Sequence, residues 1–500
     1  MGSSKRITRA ATAAAAVALL AGCAIGPDFK RPDAPAVSGY SRTPLPAETA
    51  AADVAGGKAQ RFVIGQDITS QWWTLFQSPQ LNNLMAQVLE NSPDVDEAGA
   101  LLRQAEETLK AQQSILFPSV DGNLDARRQK SYGNFGGGTA VSIPAYTITT
   151  ASVQVSYALD PFGGSLRALE SRRAQVEFTR FQIEAAYLTL TSNVVIAAVQ
   201  HASLRAQVEA TQTILGSQAQ QLDLLRKQLE LGGVAEADVL TQQTAVAQMR
   251  AQLPLLQKQL SQAENQILAL SGRFPSEESG VLFDFAELQL PDELPVTLPS
   301  QLVEQRPDIR ASQAKLQSAS AEIGVATALM LPQISLNANY GSSASNFGNL
   351  FSAGSGIWSF AANLTQPIFR GGELWHQRKA AIAGYDVAAA QYRRTVLMAF
   401  QNVSDTLRAL EVDAEAVKAH LEAERAAAQN LEIAQNRFQS GATNFLTLLD
   451  AQRTYQQTRI ALVQAQASRY ADTAALFVAL GGGWWNRTQD TAAVAAASND

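Results

Sequence analysis

Five hundred residues carry 39 Lys and Arg against 45 Asp and Glu, a net charge of -6 spread without long runs of either sign. That distribution excludes the basic patch a nucleic-acid-binding surface requires. Three His and five Met leave no support for a histidine or methionine metal relay.

The chain opens with Lys5, Arg6 and Arg9, followed by an apolar run from Ala10 to Leu20. That run is too short to cross a bilayer as a helix and has the layout of a secretory signal. It ends in Leu20-Ala21-Gly22-Cys23, and Cys23 is the single cysteine. The tetrapeptide resembles the bacterial lipobox, whose Cys is acylated and becomes the mature N-terminus. Ala24, standing where an Asp would retain a lipoprotein at the inner membrane, implies sorting to the outer membrane. Each buried acyl methylene contributes about 0.8 kcal/mol, so several chains make a firm anchor. The expected cofactor set is accordingly none, apart from covalent lipid on Cys23.

Beyond the signal the chain repeats itself. Pro93 and Asp94 answer Pro307 and Asp308, and Pro118 answers Pro332, both at an offset of 214. Asp160-Pro161-Phe162-Gly163-Gly164 answers Gln366-Pro367-Ile368-Phe369-Arg370-Gly371-Gly372. Gly232 then answers Gly441 at an offset of 209. A period this long is the duplication of a whole architectural unit, read here as a helix, two strands and two long helices. The implied divisions are a signal at 1–22, an N-terminal anchor and equatorial segment at 23–90, a first repeat at 91–271, a linker at 272–300, a second repeat at 301–480 and a tail at 481–500.

The strands follow from alternation. Ile334, Leu336, Ala338 and Tyr340 share one face, with Gln333, Ser335, Asn337 and Asn339 on the other. Trp358, Phe360, Ala362 and Leu364 oppose Ser359, Ala361, Asn363 and Thr365, and Val153, Val155, Tyr157 and Leu159 oppose Ser152, Gln154, Ser156 and Ala158. A weaker strand spans Val120 to Arg128, with Val120 and Leu124 outward. With no apolar stretch of roughly 20 residues after the signal, a span has to be a β-barrel. A soluble sandwich shows the same alternation. Four strands cannot close a wet barrel, which starts near 8, so several copies must share one, and three would supply twelve. The Gly-, Ser- and Asn-rich segments 129–147 and 341–356 read as extracellular turns.

The helices follow from spacing. No Pro occurs between Gly372 and Ser440, and Ile382, Tyr385, Ala389, Tyr392, Val396, Ala399 and Val403 form a coiled-coil stripe. A helix of roughly 65 residues is about 100 Å long, and its counterpart runs from about Ser165 to Glu230. Shorter helices at 92–116, 235–271, 302–330 and 443–480 complete the two repeats. Pro254, unmatched at Val463, predicts a local bend.

Taken together, Cys23-Ala24-Ile25-Gly26-Pro27-Asp28-Phe29, Trp72-Trp73, Arg306-Pro307-Asp308-Ile309, Gln366-Pro367-Ile368-Phe369, the run Leu446 to Arg453, and the closing Leu480-Gly481-Gly482-Gly483-Trp484 resemble the TolC-like outer-membrane factor family. The likeness is to its lipoprotein (NodT/OprM-like) branch, associated with RND-type efflux systems, and covers residues 23 to 485. It implies an α+β membrane protein, a homotrimer with a twelve-stranded outer-membrane β-barrel continued by a twelve-helix periplasmic α-barrel. It also implies an equatorial belt, a periplasmic adaptor, an inner-membrane RND-type pump that supplies the energy, and contact with outer-membrane lipid. The function implied is the exit duct of a tripartite pump for drugs or other small molecules. Type I polypeptide secretion, heavy-metal export and a non-transport envelope lipoprotein are the alternatives.

Leu446, Asp450 and Arg453 lie at i, i+4 and i+7, on one helix face just past Gly441. The resemblance places the periplasmic gate at these positions, with an apolar constriction at Leu446 and polar contacts at Asp450 and Arg453. Three copies of Asp450 at one constriction would attract cations. The matching first-repeat residues, Ala237, Thr241 and Thr244, carry no charge. On the same resemblance the turns Gly232-Gly233-Val234 and Gly441-Ala442-Thr443 engage the adaptor. No catalytic or metal site is expected, since His201, His376 and His420 sit on helices with no ligand pattern, and no nucleophile or phosphate-loop motif occurs.

Overall fold

The computed structural model describes residues 24–134, 140–277, 280 and 282–487, in two compact units. The elements, in chain order, are β1 (Arg61–Ile64), α1 (Pro79–Asn91), α2 (Pro93–Gln113), β2 (Ser119–Asn134), β3 (Ala140–Leu159), α3 (Gly164–Glu230), α4 (Glu236–Leu270), β4 (Glu293–Val296), α5 (Pro299–Gln305), α6 (Pro307–Ala328), β5 (Gln333–Ala344), β6 (Gly356–Thr365), α7 (Glu373–Gln439) and α8 (Phe445–Ala479), with short 3-10 turns between some of them. The series α2-β2-β3-α3-α4 is thus followed by α6-β5-β6-α7-α8, the duplication that the spaced prolines and glycines announce.

The first unit comprises residues up to 32 together with 102–179 and 311–392. Its centre is a four-stranded antiparallel sheet in the order β2-β3-β5-β6. The register aligns like with like. One row across the sheet reads Val120, Val155, Ala338, Phe360, and the next in the same face reads Gly122, Val153, Tyr340, Trp358. The alternate rows read Ser119, Ser156, Asn337, Ala361 and Asp121, Gln154, Asn339, Ser359. Within the polar face Ser156 Oγ donates to Asn337 Oδ1 at 3.1 Å, and the Thr150 and Ser343 hydroxyls are 3.2 Å apart. The apolar face is bare: Tyr340 is 73% exposed and Trp358 79%. Large aromatics left uncovered on one face of a sheet whose other face is wet are what a lipid-facing surface requires.

The second unit comprises 33–101, 180–310 and 393 onward. Its core holds Trp72 stacked on Phe477, with ring centroids 5.4 Å apart, and Phe285 stacked on Tyr470 at the same separation. β1 pairs in parallel with β4, joining residues 232 positions apart (61 with 293). Arg469, wholly buried, donates through Nη2 to Thr49 Oγ1 at 3.0 Å and to the Lys58 carbonyl at 2.6 Å. Tyr470 Oη donates to the Leu288 carbonyl at 2.6 Å. Neighbouring residues of α8 therefore hold two separate loop segments against the helices.

Three expectations are revised. The 129–147 segment is not a long turn: backbone pairing runs out to Asn134 and Ala140, with a register shift between Gln129 and Ser131. The run from Gln129 to Asn134 has no apolar alternation, so the sequence carries no sign that pairing continues there. Likewise β5 continues to Ala344, into the segment assigned to the second turn. Finally, α3 does contain one window apolar enough by composition to cross a membrane. Val194, Val195, Ala197, Ala198 and Val199 within that helix are buried by packing in the second unit. At Pro254 the helix α4 runs on without interruption.

Candidate functional site

The turns between α3 and α4 and between α7 and α8 have the same construction. Gly232 N–H donates to Leu229 O and Gly233 N–H to Gln228 O, at 2.9 and 2.7 Å; Gly441 N–H donates to Phe438 O and Ala442 N–H to Arg437 O, at 3.0 and 2.8 Å. This paired 5→2 and 6→1 pattern ends a helix through one left-handed residue. Gly232 and Gly441 supply it with φ of 73° and 72°. Each turn then starts a helix with its own cap. The Asn444 side chain accepts from Thr447 N–H at 3.0 Å, and the Asp238 carboxylate accepts from Ala235 N–H at 3.4 Å.

The turn residues are exposed at Gly232, Gly233, Gly441 and Ala442, and half-buried at Val234 and Thr443. Val234 packs against the apolar cluster of Leu222, Leu225, Val239, Val246, Phe445 and Leu449, which ties α8 to α3 and α4. A side chain built on Gly441 meets nothing within 4 Å, so replacing it strains the backbone without a clash.

Helix α8 has two faces at this end. Phe445, Leu448, Leu449, Ala451 and Gln452 are buried. Leu446, Asp450 and Arg453 share the opposite face, all exposed, with Leu446 at 63%. The structure therefore brings the three expected residues together on one free surface. The i,i+3 ion pair available to Asp450 and Arg453 is not formed, and among the described residues neither side chain has a hydrogen-bond or ion-pair partner. Arg453 instead borders a cavity of about 450 Å³ between α3, α4 and α8, lined by glutamines 218, 248, 252, 456, 457 and 464. On α4 the matching threonines bond to their own backbone: Thr241 Oγ1 donates to Ala237 O at 2.7 Å and Thr244 Oγ1 to Leu240 O at 2.9 Å. Those hydroxyls are spent on their own helix, whereas Asp450 and Arg453 are available to another molecule.

The histidines take other roles. His201 is buried, edge-on to Phe283, with Glu264 Oε1 3.8 Å from Nε2; burial holds its pKa below the usual imidazole value. His376 lies edge-on to Trp375 at 4.7 Å. Among the described residues no group of three His, Cys, Asp or Glu could hold a metal. Cys23 lies outside the described residues.

The model of the outer membrane efflux protein family matches residues 84–273 and 298–482, that is, both repeats. The chain belongs to this family. It is 30% identical over 476 residues to the antibiotic efflux pump outer membrane protein ArpC of Pseudomonas putida, covering 94% of each chain. It is 31% identical over 447 residues to the pyoverdine export outer membrane protein OpmQ of Pseudomonas putida strain KT2440, covering 88% of this chain and 94% of that one. Among solved structures it is similar to the outer-membrane channel OprN, with a TM-score of 0.80 at 28% identity over 92% of this chain and all of the other.

This efflux protein accordingly resides in the outer membrane and acts as the exit channel of an efflux system. Its fold is that of the family: a trimeric outer-membrane β-barrel continued by a periplasmic α-barrel, each protomer giving four strands and two repeats. Family members are transport proteins that work with adaptor and inner-membrane pump components. The exposed aromatic face of the sheet is then the lipid face and the polar rows line the duct. Sequence reasoning found the strands, the helices and the shared face of Leu446, Asp450 and Arg453 but missed Arg469 and its partners, since Thr49 and Lys58 are remote in the chain and neither carries a motif.

Proposed function

We propose that this protein is the exit duct for small molecules in a tripartite efflux pump, closed at its periplasmic tip by Leu446, Asp450 and Arg453. The observation that carries the gate is that Asp450 and Arg453 are exposed and unpaired on a helix whose other face is pinned by apolar packing. A charged pair left unmade within one protomer is suited to contacts with another copy across a narrow axis. Three Asp450 carboxylates there attract cations and repel anions, and three Leu446 side chains exclude water from the constriction. The asymmetry with α4 supports the α7–α8 hairpin as the moving part.

Adaptor contact is assigned to the exposed turns at Gly232-Gly233-Val234 and Gly441-Ala442-Thr443. An adaptor that binds the open arrangement more tightly than the closed one shifts the population by that difference and no more. Small-molecule cargo is supported by the relatives, one named for antibiotics and one for pyoverdine. The inner-membrane pump supplies energy and selection. Acylation of Cys23 is supported by the signal-like run that precedes it.

The test is single-channel conductance of purified trimer in a planar bilayer. Wild type is expected to pass small, cation-selective currents, and Asp450→Ala to pass larger, less selective ones. An unchanged current in a correctly assembled Asp450→Ala trimer removes Asp450 from the gate.

A further inference from the structure

Arg167, near the start of α3, does something for which neither transport nor gating gives a reason. Its side chain is only 7% exposed, yet it faces a segment of chain remote in sequence. Nε donates to the Ile25 carbonyl at 3.2 Å, and Nη2 reaches Asp28 Oδ1 at 2.7 Å, with the Gly26 and Ala24 carbonyls at 3.4 and 3.5 Å. Nη1 pairs with Glu170 at 2.7 Å, which holds the guanidinium in place from its own helix. Three successive carbonyls thus converge on one cation. Carbonyls of an extended strand point alternately, so this requires a local reversal, and Gly26 provides it with φ of 108°.

The fit continues around that contact. Ile25 N–H donates to the Phe162 carbonyl at 3.0 Å. A Cβ on Gly26 would lie 2.5 Å from Gly324 Cα, and a Cβ on Gly163 2.8 Å from Ala24 Cα. Backbone lies against backbone at both places, with glycine on at least one side. Everything involved belongs to the first unit, at the junction between β3 and α3 and on α6.

We propose that Arg167 is the docking residue for the chain's own N-terminal segment, seating Ala24 to Asp28 as a strap at the β3–α3 junction. The strap is held by the protein and not by lipid. Cys23 is joined to Ala24 by one peptide bond, so a docked Ala24 leaves no intervening residue between the strap and an acylated Cys23. The consequence for the anchor rests on acylation of Cys23 as proposed above; the docking does not.

The experiment is limited proteolysis of the detergent-solubilised trimer, following cleavage after Phe29 and Lys30 by the mass of the large fragment. A docked strap is cut only when it opens, so the rate follows the opening equilibrium. Arg167→Ala is expected to be cut at least about tenfold faster than wild type, the loss of a charge-assisted hydrogen-bond set. Gly26→Ala, which leaves the guanidinium intact, is expected to behave the same way and serves if Arg167→Ala does not fold. Cys23→Ser, exported behind an ordinary cleavable signal, is expected to be cut at the wild-type rate.

Wild-type rates in both Arg167→Ala and Gly26→Ala overturn the proposal, and so does Cys23→Ser cut as fast as Arg167→Ala, which would mean that lipid holds the strap. The mass of the released N-terminal peptide reports acylation separately. An unacylated peptide from a slowly cut wild type refutes the lipid reading and leaves the docking standing.

Discussion

Asp413 on α7 is half-buried, with a carboxylate oxygen, Oδ2, that no donor reaches, and it faces Asp472 of α8. Burial first, and then the Asp472 carboxylate, push its pKa from the ordinary 3.8 up to about 7, against the pull of Arg469. Below the ordinary value the carboxyl is protonated folded or unfolded, and the site costs nothing. Between there and about 7 the unfolded chain releases a proton that the native state keeps, so stability falls as pH rises, and above about 7 it levels off. Asp413→Asn retains the neutral form at every pH. The thermal midpoint of Asp413→Asn trimer should therefore vary less than wild type between about pH 4.5 and 7.5, and Asp472→Asn, which removes the carboxylate that raises Asp413, should flatten the curve too. Equal slopes in wild type and both variants would show that Asp413 does not hold the proton. None of this was visible in the sequence, where Asp413 and Asp472 are two acids 59 positions apart (413 to 472) on helices rich in charge. Arg306 is the intermediate case. The Arg-Pro-Asp motif marks it, and a bidentate pair with Asp308 explains half of it. The other half, donation from Nη1 to the Ala479 carbonyl at 2.8 Å, caps α8 from 173 residues away and needs the fold to be seen.

The long elements were legible because their signals are local and many times repeated. A stripe such as Tyr392, Val396, Ala399 and Val403, all buried in α7, fixes helix and face together. Strand ends were not legible, since from Gln129 to Asn134 the residue types show no apolar alternation to mark a strand. Pro254 shows the limit in the other direction. It sits exposed within α4, which continues past it although the proline has no N–H to offer the Arg250 carbonyl. Neighbouring turns and the packing of Met249 and Val246 sustain the helix across that gap. Proline in a helix interior costs about 3 kcal/mol relative to alanine. Pro254→Ala should slow hydrogen exchange of the amides from 250 to 258 while leaving the α7–α8 hairpin unchanged. Exchange as fast as in wild type would mean that tertiary contacts had already absorbed the cost.

The whole molecule is decided by what one chain lacks. Its sheet ends in β2 on one side and β6 on the other, and neither outer edge has a strand partner among the described residues. Such edges are not left open in a bilayer, where each unpaired backbone group costs several kcal/mol. Because β2-β3-β5-β6 is antiparallel at every step, β2 and β6 run in opposite directions, and β6 of one copy can pair antiparallel with β2 of the next. That contact is head-to-tail and closes with the threefold symmetry of the family. A cysteine scan tests it, since Cys23 is the only native cysteine. Asn123→Cys on β2 combined in turn with Ser359→Cys, Ala361→Cys or Asn363→Cys on β6 places both thiols on the polar face. Within one protomer they are three strand spacings apart, roughly 14 Å, too far for a disulfide. At least one pair should give a covalent trimer on a denaturing gel after oxidation, and monomers alone from all three pairs, in trimers intact before denaturation, would rule out this closure.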